Sequence, residues 1–168
     1  TYLERFTPEE IERSLRPNTR VFYLESPSSN IFRVLPLREI AAQAHACGAV
    51  TVIDNTWATP LYQKPLELGI DYSIHSATKY LGGHSDVLGG VVLGSEERMD
   101  ALRGGQRASW GACMDPFAAW LLIRSLRTLE VRMARHSASA DKVARFLQEH
   151  PRVRSVCYPG LETDEGHT

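Results

Sequence analysis

Four short apolar runs constrain this chain more than any other feature. They are Val21-Phe22-Tyr23-Leu24, Val50-Thr51-Val52-Ile53, Tyr72-Ser73-Ile74-His75 and Gly89 to Leu93. Strands that read as continuous apolar runs are covered on both faces, and helices between them make the strands run parallel. The fold expected is therefore α/β, a mostly parallel sheet with helices on both faces. Sheets of this kind bind ligands at the carboxyl ends of their strands, where the loops converge.

Local signals place the helices. Thr7 is an N-cap, Pro8 suits the first helical position and Glu10 completes a capping box ahead of Ile11 and Leu15. Pro17-Asn18 breaks that helix, and Ser26-Pro27-Ser28-Ser29-Asn30 is a loop. A second helix is predicted from about Pro36 to Cys47, with Ile40, Ala41, Ala44 and Cys47 on one face and Gly48 as its stop. Pro60 to Leu68 reads as a short crossover holding one helical stretch. From the Asp115 cap a helical pattern runs almost without interruption towards Glu149, bending near Thr128 to Val131. Pro151 ends it, and Val153 to Tyr158 is predicted as a strand of a smaller unit. This gives two regions: residues 1–130, a large domain, and 131–168, a long helix leading into a smaller one.

The formal net charge of −1 comes from interspersed acidic and basic residues, which excludes a nucleic-acid footprint or a membrane-surface patch. No apolar stretch approaches the roughly 20 residues of a membrane-spanning helix. Cys47, Cys113 and Cys157 are odd in number, far apart and in no metal-ligand spacing. They are read as reduced, buried thiols of a cytoplasmic protein, and the six histidines show no zinc pattern.

The chemistry concentrates at two strand exits. Ser76-Ala77-Thr78-Lys79 follows the third run and is continued by Tyr80-Leu81-Gly82-Gly83-His84, while Asp54 ends the second run. A lysine amine placed among hydroxyls and glycines at such a rim suits a Schiff base. A carboxylate one crossover away suits a cationic ring nitrogen. Lysine imine plus carboxylate partner is the pattern of a pyridoxal 5'-phosphate site, in which electrons from a broken Cα–H bond drain into the ring. Ser76 and Thr78 offer hydroxyls for the cofactor phosphate. Each residue also has a plainer reading: Lys79 as a surface lysine in a glycine turn, Asp54 as a helix N-cap, Ser76 and Thr78 as caps of the local turn. Glu25 is read as an N-cap or loop anchor, and His45, His75 and His84 as structural.

The resemblance is carried by three blocks: Val52 to Pro60, Lys64 to Asp71, and His75-Ser76-Ala77-Thr78-Lys79-Tyr80-Leu81-Gly82-Gly83-His84-Ser85-Asp86. It continues through Asp115-Pro116-Phe117, Leu126 to Leu129, Arg132-Met133 and Tyr158 to Leu161. Together they resemble the Cys/Met-metabolism (transsulfuration) family of pyridoxal phosphate enzymes. That resemblance implies the large domain of the fold type I transferases, present in part. It also implies that Lys79 anchors the cofactor and shuttles the Cα proton, that Asp54 pairs with the pyridinium, and that Ser76 and Thr78 bind the phosphate. Where the family often has Glu-Ser-Pro-Ser-Asn-Pro, this chain has Glu25-Ser26-Pro27-Ser28-Ser29-Asn30. Ser29 then takes the place of an asparagine near the cofactor's phenolic oxygen. With Trp57, this leans to the cystathionine β-lyase branch.

The function the resemblance implies is a lyase acting on a small sulfur amino acid, with β-elimination of cystathionine to homocysteine, pyruvate and ammonia as the first expectation. Cystathionine or methionine γ-lyase and cystathionine γ-synthase are the alternatives within the family, and a non-catalytic remnant of the fold is the alternative from another class. Family enzymes are more than twice this length, so the chain is read as an internal fragment. The resemblance also implies a homotetramer built as a dimer of dimers, located in the cytoplasm.

Overall fold

A computed structural model describes residues 2–3 and 6–167. Helix α1 (Pro8–Ser14) starts as read, with the Thr7 side chain accepting from the Glu10 N–H. The Glu10 carboxylate reaches back one residue further than a capping box requires, accepting from the Phe6 N–H at 2.8 Å. Strand β1 (Val21–Glu25) follows, then α2 (Leu37–Ala46), β2 (Val50–Asp54), the one-turn α3 (Thr59–Tyr62), a 3-10 turn at Pro65–Leu68, and β3 (Tyr72–Ser76). The crossover between β2 and β3 thus holds two short helical turns rather than one.

The sheet order is β1-β2-β3-β4, β4 being Gly90–Leu93. β1, β2 and β3 are parallel, and β4 pairs with β3 antiparallel. The difference has a simple cause. Residues 77–89 join β3 to β4 without any helix, so the chain turns back beside β3 instead of crossing over.

The main core lies between the sheet and the first two helices. Phe22 and Leu24 of β1, Ile53 of β2, Ile11 of α1, and Leu37, Ile40, Ala41 and Ala44 of α2 are buried together. The opposite face of β1 is open, with Val21 56% and Tyr23 59% exposed, so helices do not cover the sheet there. A second core joins Ala77 and Leu81 to Leu122 of α6 (Pro116–Leu126) and to Leu129 and Met133 of α7 (Leu129–Gln148). The break between α6 and α7 falls at Arg127-Thr128, at the edge of the predicted bend.

Two expectations are corrected. Cys47, Cys113 and Cys157 are all exposed in this chain. Cys47 stands at the C-cap of α2 and turns its thiol to the Ala44 carbonyl, off the buried stripe. Residues 153–158 form no strand, because no ladder partner for them exists among the described residues. The stretch after β4 forms α4 (Glu96–Leu102), which continues through a wide turn at Arg103–Arg107 into α5 (Ala108–Trp110). The Ser95 side chain caps α4, with Glu96 and Glu97 in its first turn.

At the amino ends of β2 and β3 one carboxylate ties three elements. Asp71 accepts from the Thr51 N–H at 2.8 Å and the Thr51 hydroxyl at 2.9 Å, and pairs with Arg98 of α4 at 2.6 Å and His45 of α2 at 3.0 Å. Burial alone would raise its pKa, but the Thr51 N–H, His45, the Thr51 hydroxyl and Arg98 outweigh it and hold the carboxyl below its ordinary 3.8. A depressed folded-state pKa contributes stability that is complete above the unfolded value and is lost as pH falls through the folded one. Stability of the intact protein should therefore fall with pH below about 3.9, as the Asp71 contribution is progressively lost. Asp71→Asn should flatten that limb in urea titrations at successive pH values; an unchanged limb would contradict the assignment.

Candidate active site

The β2 exit is built by short side chains bonding the backbone. Asp54 Oδ1 accepts from the Thr56 N–H at 2.9 Å, the turn that Asp, Asn and Thr favour. The Thr56 hydroxyl in turn accepts from the Ser76 N–H at 2.8 Å, and the Asn55 N–H donates to the Ile74 carbonyl at 2.9 Å. Two strand exits, one carrying Asp54 and the other Ser76 to Lys79, are thus stitched together.

A buried amide pair supports this exit from below. Asn55 donates to the Gln63 carbonyl at 3.0 Å, and Gln63 donates to the Asn55 side-chain oxygen and the Ser26 carbonyl, each at 2.8 Å. Ser26 is itself buried and accepts from the Leu35 N–H. The loop after β1 and the exit of β2 are therefore fixed to each other.

The lysine turn is tight. Lys79 N donates to Ser76 O at 3.0 Å, Gly82 N to Ala77 O at 2.7 Å, and Gly83 N to Lys79 O at 2.7 Å. The two glycines have separate reasons. A Cβ at Gly82 would lie 2.8 Å from the Ala77 carbonyl oxygen; Gly83 has φ +76 and a Cβ there would strike the Arg132 guanidinium. Arg132 donates to the Tyr80 carbonyl at 2.7 Å, the Ser125 carbonyl at 3.0 Å and the Thr128 hydroxyl at 3.1 Å. It fastens the lysine turn to the α6–α7 junction. Thr78 closes the other side, its hydroxyl accepting from the Gly89 N–H at 3.1 Å.

Ser29, Asp54, Ser76, Thr78 and Lys79 all line one cavity of about 900 Å³ at the carboxyl ends of the parallel strands. Lys79 is exposed to it and makes no side-chain hydrogen bond or ion pair among the described residues; Asp54 is half-buried. The wall beyond the lysine is aromatic. Trp57 and Tyr80 lie 6.3 Å apart, and Tyr80 and His136 of α7 lie 5.7 Å apart. Neighbouring charge is felt locally: burial first, then Asp54 and Glu25, raises the Tyr23 hydroxyl pKa. His75 is buried under the rim and held neutral below its ordinary value, chiefly by desolvation, with Asp54 opposing.

Reading residues singly missed Thr56, Arg132 and His136. The signal for Arg132 was present as the glycine pair after the lysine, which makes room for a large group. No sequence signal points to His136, since it reaches the cavity from another helix.

Residues 1–168 match the family model described as Cys/Met metabolism PLP-dependent enzyme. The chain is 41% identical over 169 residues to an L-methionine gamma-lyase of Fusobacterium nucleatum subsp. polymorphum, covering 99% of this chain and 43% of that protein. It is 43% identical over 159 residues to a cystathionine beta-lyase of Lactococcus lactis subsp. cremoris (strain MG1363), covering 95% of this chain and 42% of the relative. The crystal structure of cystathionine gamma-lyase from Lactobacillus plantarum complexed with L-serine superposes with a TM-score of 0.94 at 36% identity, over 99% of this chain and 44% of that one. The chain spans less than half the length of these relatives. With its whole length matched and its strand exits forming one lined cavity, the chain belongs to the Cys/Met-metabolism family of PLP-dependent enzymes.

Proposed function

We propose that this chain forms the cofactor-anchoring part of a pyridoxal phosphate lyase acting on a sulfur amino acid, with β-elimination of cystathionine as its reaction. The observation that carries the reading is the placement of Lys79 and Asp54 on one cavity rim, their strand exits joined by the Thr56–Ser76 hydrogen bond. The donor set fits the cofactor: an amine with no partner among the described residues, a half-buried carboxylate and two hydroxyl-bearing residues line the same space.

Lys79 would hold the cofactor covalently through its amine. The chemistry that pyridoxal phosphate would supply when bound is an electron sink for the pair left by Cα–H cleavage. Asp54 would keep the ring nitrogen protonated, the Ser76 and Thr78 hydroxyls would take the phosphate, and Ser29 would face the cofactor from the same cavity. Lys79 Nζ removes the Cα proton as base and returns one as acid. Trp57 and Tyr80 form an apolar wall that excludes water on one side.

A γ-elimination reading has support of its own, because the methionine gamma-lyase relative is as similar as the β-lyase. Product analysis separates them. The intact protein supplied with cystathionine should yield pyruvate and homocysteine; 2-oxobutyrate with cysteine in their place would overturn β-elimination. A homotetramer in the cytoplasm belongs to the same proposal. Phe117, Trp120 and Ile123, exposed along α6, supply apolar surface for such self-association.

A further inference from the structure

Glu25 and Asp54 are register partners at the ends of β1 and β2, and both line the cavity. They are used differently. Glu25 is turned onto Ser29: Oε2 accepts from the Ser29 N–H at 2.8 Å, and Oε1 accepts from the Ser29 hydroxyl at 2.7 Å. The second distance is in the range of a charge-assisted O–H···O⁻ bond. An ionised carboxylate only accepts, so the single hydroxyl proton of Ser29 is committed to Glu25. What the serine has left for the cavity is lone pairs.

We propose that Glu25 is a positioning residue that holds Ser29 as a hydrogen-bond acceptor, so that this corner of the cavity receives an O–H or N–H donor of the bound ligand. The inference rests on the cofactor site proposed above and deepens it. Two groups have the required chemistry: the ring hydroxyl of the cofactor and the ammonium of the amino acid. An asparagine at position 29 offers an N–H as well as an acceptor; this serine, so clamped, offers only an acceptor.

Glu25→Gln tests the polarity at nearly constant shape. The amide oxygen can still accept from the Ser29 N–H, but the amide NH₂ now donates to the hydroxyl oxygen and frees its proton towards the cavity. The acceptor becomes a donor. In the intact protein two titrations separate the two sources. Pyridoxal phosphate uptake, followed by visible absorbance, reads the ring hydroxyl. Glycine added to the loaded protein, an amino acid with no leaving group, reads the ammonium.

Glu25→Gln should raise the dissociation constant about tenfold in one of these titrations, because a ligand donor that had met an acceptor then meets another donor. Ser29→Ala should cost less, and adding Glu25→Gln to Ser29→Ala should cost nothing more, since the glutamate acts through the serine. Ser29→Thr keeps the hydroxyl on the same carboxylate and should recover part of the binding that Ser29→Ala loses. Parent-like binding of Glu25→Gln in both titrations would overturn the proposal. So would a Glu25→Gln loss that persists in the Ser29→Ala background, or a Ser29→Thr loss equal to that of Ser29→Ala. If the parent takes up no pyridoxal phosphate at Lys79, the functional reading fails and carries this inference with it.

Discussion

Lys79→Ala in the intact protein is expected to lower cystathionine elimination by at least about 10³-fold, because the proposed function makes one side chain both covalent anchor and proton carrier. The loss should be chemical and not structural. The Lys79 side chain is exposed and has no polar partner among the described residues, and the turn around it is held by main-chain bonds from Lys79 N to Ser76 O and from Gly83 N to Lys79 O. Both bonds survive truncation at Cβ, so the urea midpoint should move by no more than about 0.5 kcal/mol of stability. Lys79→Arg separates charge from nucleophilicity. The guanidinium keeps the cation but forms no imine, and it should be as inactive as alanine. Measured turnover above about a tenth of the parent in either variant would contradict the assigned role.

The second large effect is expected at Asp54. Asp54→Asn keeps an oxygen for the Thr56 N–H, so the turn that stitches the β2 and β3 exits is preserved. What disappears is the negative charge that the proposed function places beside the ring nitrogen, and with it the reason for that nitrogen to hold a proton. Removing one preorganised electrostatic partner of a developing charge costs roughly 10²–10³-fold in turnover. The deficit should appear in kcat and in exchange of the Cα proton of glycine with solvent, with little change in the amount of cofactor bound. The same substitution should lower the His75 pKa further, because Asp54 opposes the desolvation that already depresses it. Proton exchange at the parental rate in Asp54→Asn would show that the carboxylate is only a turn-former.

The parts of the fold that could be read in the chain are those with local causes. β1, β2 and β3 announce themselves as apolar runs ended by Glu25, Asp54 and Ser76, and α1 by Thr7 and Pro8. The five site residues share one cavity because all stand at strand ends or just beyond, where parallel topology converges them. What was misread depends on partners that a linear pattern does not display. The sign of β4 follows from a helix-free connection, the exposure of Cys47 from its place one step past the buried stripe of α2, and the missing strand at 153–158 from the lack of a neighbour. Glu25 shows the same limit on a smaller scale. As a strand-ending acid it looks like a loop anchor, and only its two bonds to Ser29 reveal that it sets the polarity of a corner of the cavity.

The most direct measurement is borohydride reduction of the intact protein after incubation with pyridoxal phosphate, followed by mass analysis of the peptides. The chain contains three lysines, Lys64, Lys79 and Lys142. Lys64 is paired with Glu67, and Lys142 lies on α7 outside the cavity lining. The account predicts one stoichiometric pyridoxyl label, on Lys79, with loss of visible absorbance. A label spread over the other lysines, or no label in excess cofactor, would contradict it.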